Sequence, residues 1–409
     1  MKVLRNFSRI IIAPVFVFSG FVKAIDPLGS AYKFSDYFEA FGLDFLMPTA
    51  LVLAILLSTA ELVIGLNLIM GVVMRTTSWA LFIFMSFFTL LTLIIALTNP
   101  VTDCGCFGDA LILTNWQTFW KNILFMIPTL FIFYGRKRFR PVASMAGEWS
   151  IVLVFIITGV SLSIYTYRNL PVFDFRPYKV ATHIPTDMAI PEGAPVDEYE
   201  TVLVYTKDGV EKEFAPENVP YQDTAWKWLE TRNTLIKEGY EPPIHDFSIT
   251  THNGWDITDS VLSYKGYSIL VVAYDLERAK GKALEKVNEI AKVLIDRGVP
   301  VYGMSATVSE KVTELDSKFS FSYKYHTTDE ITLKTIIRSN PGVLVLKEGV
   351  IVDKWHYNNL PDPEYFKYGL QLVTLEHKAA LLQHTTLGFY LLLLVALLAV
   401  LAIMIKVGE

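Results

Sequence analysis

The chain has 409 residues, 52% of them hydrophobic, and a formal net charge of -5, with a mean hydropathy of +0.37. It is too apolar for an ordinary soluble protein of this length, and the lack of a basic stripe argues against nucleic acid as a partner. Charge is unevenly placed: residues 1–170 carry long uncharged runs, whereas 171–380 read as a soluble domain.

A membrane helix needs about 20 apolar residues. Six segments meet or approach that length: Phe7–Val22, Met47–Met70, Thr76–Leu97, Trp116–Phe133, Ser150–Tyr167 and Thr386–Ile405. The first has no clean cleavage site and runs straight into Lys23 and Asp26, so it reads as a retained helix rather than a secretory signal. If all six span, Lys2, Arg5, Arg9, Arg75, Arg136, Lys137, Arg138, Arg140 and Lys406 fall on one side, and Asp26, Asp36, Glu39, Asp44, Asp103 and Asp109 on the other, with Lys33 the main exception. Positive charge stays inside. Both termini are therefore expected in the cytoplasm, and residues 168–384 outside.

The two cysteines of the chain are Cys104 and Cys106, within Asp103-Cys104-Gly105-Cys106-Phe107-Gly108-Asp109. This loop joins the third and fourth apolar segments and so is expected on the outer side, where a disulfide survives. Bridging i to i+2 needs Cα atoms within about 4.4–6.8 Å, hence a turn. Gly105 tolerates one. Such a ring closes almost no loop and is strained, which favours a labile, catalytic bond over a staple. Buried packing thiols remain an alternative, as does an acyl-attachment site near the membrane, although the loop is on the outer side. A metal site fits poorly, because two cysteines without a nearby histidine fall short of the usual zinc ligands. Asp103 and Asp109 are expected to raise the thiol pKa by like-charge repulsion. Glu61, deep in an apolar helix, marks either a functional site or a paired charge; Arg9 is a candidate partner, and Lys23 lies at the opposite end of the first helix.

Arg9, Gly20, Lys23, Asp26-Pro27 and Gly29, with Glu61-x-x-x-Gly65, resemble DoxX-type membrane proteins. The Cys104-Gly105-Cys106-Phe107-Gly108 run is similar to the MauE branch, named for methylamine utilisation. The resemblance covers about residues 1–140 and implies a four-helix bundle acting in thiol redox chemistry on exported proteins. It carries no methylamine substrate over to this chain. By analogy with DsbB-type oxidases, a lipid-soluble quinone would accept the electrons.

Residues 149–168 are expected as a fifth membrane helix, and the proline-rich 169–200 as a linker or an arm laid across a surface. Residues 201–382 form the soluble domain and 385–406 a sixth membrane helix. Thr201–Thr206 and Val210–Phe214 predict a hairpin around Asp208-Gly209, while residues 221–240 fit strand and helix equally. Strands at Tyr267–Tyr274 and Val299–Met304 alternate with helices at Gly281–Arg297, Ser309–Phe319 and Asp329–Arg338, and a hairpin pairs Gly342–Leu346 with Val350–Trp355. That order is similar to the thioredoxin fold, which implies a cis bond before Pro341. Where thioredoxin-like enzymes carry cysteines, this chain has Tyr274-Asp275-Leu276-Glu277-Arg278-Ala279. The seven histidines show no ligand spacing, so no metal is expected.

The fold class is thus a four-helix membrane bundle plus two further spans, bearing an α/β thioredoxin-like domain without the usual cysteines. One function that follows is an inner-membrane thiol-disulfide oxidoreductase with a periplasmic domain. Cys104 and Cys106 would react, supported by Glu61, Arg9, Asp103 and Asp109, and the partner would be an exported thiol protein. The other is a non-enzymatic scaffold, an anchored protein-binding subunit of a membrane complex.

Overall fold

The computed structural model describes residues 2–101, 103–207, 209–237 and 239–383. The expected sixth span lies outside the described residues, as does Asp208 of the hairpin turn. Six helices build the first part of the chain: α1 (Lys2–Ile25), α2 (Pro27–Ala40), α3 (Ala50–Met70), α4 (Met74–Thr98), α5 (Asn115–Tyr134) and α6 (Met145–Arg168). Among the described residues four helices are long and apolar enough to cross a membrane, Val3–Ile25, Asp44–Met70, Met74–Thr98 and Met145–Arg168. The expected span at Trp116–Phe133 is not one of them. Gln117, Lys121 and Asn122 interrupt its apolar run, and Asn122 donates instead to Phe88 O (3.3 Å) and Thr92 Oγ1 (3.1 Å) on α4.

The helices alternate in direction. Arg9 near the start of α1 donates to Leu68 O (2.8 Å) and Ile69 O (3.2 Å) at the end of α3. Glu148 at the start of α6 accepts from Val73 N (3.0 Å) and Val142 N (2.8 Å). The Arg136 guanidinium after α5 lies over the Trp79 ring of α4 at 5.1 Å. The basic residues therefore gather at one end of the bundle and the cysteine loop at the other. α1 and α3 cross closely: a Cβ at Gly65 would stand 2.6 Å from Val17 N, and one at Gly20 would stand 2.8 Å from Ser58 O. Small residues at such a crossing let membrane helices reach van der Waals contact.

α2 was not expected. Asp26 caps it, accepting from Gly29 N, and Pro27 opens it, both favoured at a helix start. Its apolar residues Ala31 and Phe38 pack on Ala50 and Ala54 of α3, so a short polar helix covers the loop end of the bundle.

The α/β part begins inside the stretch read as a linker or a surface arm, and that stretch is the arm. Tyr178 and Ile184 are fully buried in its core, and Ala181 N donates to Ile351 O. The stretch up to α7 (Ile184–Met188) is thus built into the domain, because its apolar residues cover one face of the sheet. The expected hairpin forms as β1 (Glu198–Lys207) and β2 (Val210–Phe214), and the ambiguous segment supplies β3 (Lys227–Lys237), giving an antiparallel sheet ordered β2-β1-β3. After α8 (Thr258–Leu262) come β4 (Tyr267–Val272), α9 (Gly281–Ile295), β5 (Val301–Ser305), α10 (Ser309–Phe319), β6 (Lys324–Thr327), α11 (Glu330–Ile336), β7 (Gly342–Lys347) and β8 (Val350–His356). Their sheet is ordered β6-β5-β4-β7-β8, parallel through β4, β5 and β6 and antiparallel at β7 and β8. This is a thioredoxin-like arrangement, and the Asn340–Pro341 bond is cis as expected. β6 was missed. α9 turns Val287, Ile290, Ala291 and Leu294 onto one sheet face, the three-and-four spacing of an amphipathic helix. A helix over residues 370–383 follows, with Val373 buried in the same core.

Candidate functional site

The cysteine loop is tied down from three sides. Gly105 sits at φ +63°, in the left-handed region that glycine enters without steric cost, and this folds the loop so that the Cys104 and Cys106 sulfurs lie 2.7 Å apart as free thiols. From α2, Lys33 pairs with Asp103 (2.7 Å) and the Tyr37 hydroxyl donates to Cys104 O (2.9 Å). From α5, Thr118 Oγ1 stands 3.3 Å from Cys104 Sγ, and Lys121 lies 4.5 Å over the Phe107 ring. From α1, Lys23 Nζ donates to Cys106 O at 2.5 Å, and Ser19 Oγ donates to the same carbonyl at 2.8 Å.

Lys23 also meets both Glu61 oxygens, at 2.9 and 2.8 Å. The expected partner of Glu61, Arg9, is therefore wrong. Arg9 precedes Lys23 by fourteen residues, about 21 Å along a helix, and antiparallel packing puts it against the far end of α3. Lys23 and Glu61 are buried, at 7% and 6% side-chain exposure. A buried pair of this kind is costly to leave half-made.

Asp103 and Asp109 do not act as expected either. Each is paired with a cation, Asp103 with Lys33 and Asp109 with Arg338 (3.0 Å). The Cys104 thiol is lowered to about 6: the hydrogen bond with Cys106 dominates, burial opposes it, and Thr118 and Lys121 add to the lowering. The same bond, and burial, push the Cys106 thiol well above its ordinary range. Two neighbouring thiols are thus made unequal. Titration of the thiolate sets the reaction rate, so alkylation of the reduced full-length chain by iodoacetamide should accelerate as pH rises through about 6 and level off above. A rate still climbing steeply at the ordinary cysteine pKa, about 8.5, would refute that asymmetry.

The thiols line a cavity of about 290 Å³, shared with Lys23, Glu61, Phe84 and Phe88. The soluble domain sits beside it. Arg338, two residues before the cis bond, reaches Asp26 Oδ1 and Oδ2 through Nε (3.1 and 3.0 Å) and Asp109 through Nη2 (3.0 Å). Burial would raise Asp26, but Arg338 and Arg176 outweigh it and hold the carboxyl below its ordinary range. The Tyr274 ring, just after β4, meets Tyr32 of α2 edge-on at 6.5 Å. Arg338 and Tyr274 thus dock this edge of the domain on the bundle. Sequence reading missed Lys33, Tyr37, Thr118 and Arg338; only the capping signal at Asp26-Pro27 could have announced α2 and the residues on it.

These features define a membrane protein of redox-related type, in which a thiol pair lies between an apolar bundle and a thioredoxin-like domain. Residues 1–135 match the family of methylamine utilisation protein MauE, and residues 199–238, the three-stranded sheet, match a domain of unknown function. No curated protein matches the chain. Two solved structures are similar in part. One is a protein described as a disulfide isomerase from Bacteroides thetaiotaomicron, at 18% identity and TM-score 0.26, covering 31% of this chain and 83% of its own. The other is the bacterioferritin comigratory protein of Xanthomonas campestris, at 12% identity and TM-score 0.24, covering 33% and 92%.

Proposed function

We propose that the chain is a thiol-disulfide oxidoreductase of the bacterial inner membrane, with both termini cytoplasmic and the thioredoxin-like domain in the periplasm. The observation that carries this is the unequal pair, an acidic Cys104 thiol and a buried Cys106 thiol with their sulfurs 2.7 Å apart. The basic end of the bundle supports the orientation. An exported protein gives up two thiol protons and two electrons to the Cys104–Cys106 disulfide, which becomes a dithiol as the partner gains a disulfide. A quinone would take up those two electrons and two protons when the pair is reoxidised. The apolar, aromatic-lined cavity at the thiols suits a flat ring of that kind. Within the chain, Tyr37, Lys23 and Ser19 hold the two cysteine carbonyls, and the Thr118 hydroxyl stands beside the Cys104 sulfur.

Exchange in either direction passes through one mixed disulfide, formed by the better thiolate. Cys106→Ser should therefore accumulate covalent adducts with exported proteins on Cys104, trapped by acid quench and alkylation, whereas Cys104→Ser should accumulate few. Adducts in neither variant, with envelope disulfides unchanged while deletion is harmful, would favour the second reading. That reading is a scaffold whose thioredoxin-like domain binds partners without chemistry, and it is favoured by the absence of cysteine from Tyr274–Ala279.

A further inference from the structure

The Lys23–Glu61 pair is more elaborate than a staple between two helices requires. An ammonium has three protons to donate, and Lys23 meets three kinds of acceptor: the Glu61 carboxylate, Ser19 Oγ at 2.7 Å and the carbonyl of Cys106 at 2.5 Å. The bonds to Glu61 alone would tie α1 to α3, since Ser19 lies on α1 with Lys23. The third bond is spent on the redox loop itself, eighty-three residues along the chain. Lys23 also sets its positive charge beside the Cys106 thiol and pulls that thiol downward. Of the other charges around the loop, Lys33 is matched by Asp103 and Arg338 by Asp109, while Lys121 stands over Phe107 and lowers both thiols from across the loop without bonding its backbone among the described residues. Lys23, moderated by Glu61, is thus the charge beneath the loop that is held directly against a cysteine peptide.

We propose that Lys23 is the positioning residue of the Cys104/Cys106 couple: it fixes the Cys106 main chain against the bundle and, with Glu61 limiting its charge, sets the balance between dithiol and disulfide. This rests on the redox reading above. The physical argument has a sign. A cation near the pair stabilises its thiolate form, and a stabilised reduced form makes the couple more oxidising. Removing Lys23 leaves the carboxylate of Glu61 beneath the loop, which disfavours the thiolate and shifts the couple toward disulfide. Neutralising Glu61 leaves Lys23 uncompensated and shifts it the other way.

The test is the equilibrium of the full-length protein in detergent micelles with mixtures of reduced and oxidised glutathione, read by alkylation and mass at pH 7. Lys23→Met should move the equilibrium constant toward the disulfide, and Glu61→Gln should move it toward the dithiol, each by about threefold or more, a change readily resolved in such titrations. The Lys23→Met, Glu61→Met double variant, which replaces a buried ion pair by apolar residues and is expected to fold, should lie between them. Shifts in the same direction for both single variants, or none, would overturn the proposal, because loosening the loop cannot give opposite signs. If Lys23→Met alone does not fold, Glu61→Gln against the double variant decides: the first must favour the dithiol and the second must not. No exported partner enters this measurement, so its failure is separate from a failure of the trapping experiment.

Discussion

Arg338→Ala should loosen the thioredoxin-like domain from the bundle and lower the stability of the full chain by about 3 kcal/mol, near the lower end of what removing one partner of a buried ion pair costs. Arg338 spends its guanidinium on three acceptors: the Asp26 carboxylate, the Asp109 carboxylate and the Lys334 carbonyl at 2.6 Å. Its side chain is 7% exposed, that of Asp26 is 19% and that of Asp109 is 39%. Alanine therefore leaves one well-buried and one half-open carboxylate close together without their common cation. The exposure of Asp109 is why the lower end applies. Arg338→Lys keeps the charge and loses the fork that spans both acids, so it should recover only part of the loss. The measurement is the unfolding midpoint in detergent, together with the rate of tryptic cleavage between the bundle and the domain. Neutralising both acids in the alanine background, with Asp26→Asn and Asp109→Asn, should return much of the stability, since the unpaired charges and not the missing contacts carry most of the cost. An alanine variant as stable and as protease-resistant as the parent would show that the domain is held by other contacts.

How much of this was legible beforehand depends on the range of the interaction. The cysteine pair, its place between two apolar helices, the β1–β2 hairpin and α10 all follow from patterns within a few residues, and the structure keeps them. The partner of Glu61 did not follow. The apolar run of α1 stops at Val22, so Lys23 looked like a flank of the helix, yet the helix continues to Ile25 and carries Lys23 inward to Glu61. Asp103 and Asp109 were read as bare charges beside the thiols. Their partners, Lys33 and Arg338, lie 70 and 229 residues away, and no local pattern announces such a pairing. α2 failed for another reason: its buried face is short, and its polar residues resemble a loop. β6 has only four residues, too few for alternation to show. The proline-rich stretch after α6 fitted either a linker or an arm laid across a surface; Tyr178 and Ile184 make it the arm, and only tertiary packing distinguishes the two.

That arm gives the other large expected effect, Asp174→Ala. Asp174 accepts from Arg176 Nε (2.7 Å) and Nη2 (2.9 Å) and from Lys354 Nζ (2.9 Å) on β8. Burial would raise its carboxyl, but Lys354 and Arg176 hold it far below the ordinary carboxylate range. Without it, two cations at 2% and 3% exposure keep only backbone acceptors, Thr335 O for Arg176 and Tyr178 O for Lys354. Loss of the shared anion should cost about 3–5 kcal/mol and release the segment that buries Tyr178 and Ile184. The cost should depend on pH, with a sign that can be worked out. Asp174 has a depressed pKa, so the stability it supplies is present above the ordinary aspartate value, about 3.9, and is lost as pH falls through its folded value. Lys354 is lowered to about 8, chiefly by burial, so the folded domain prefers its neutral amine and sheds the proton readily in mildly alkaline solution. In the alanine variant Lys354 loses its stabilising anion and deprotonates at still lower pH, which removes one of the two stranded charges. The stability gap between parent and Asp174→Ala should therefore narrow from pH 7 to pH 9, while Arg176, charged throughout, keeps it from closing. Denaturation of the full chain at the two pH values measures the gap. A gap that stays constant would mean that Lys354 is not the residue stranded by the loss of Asp174.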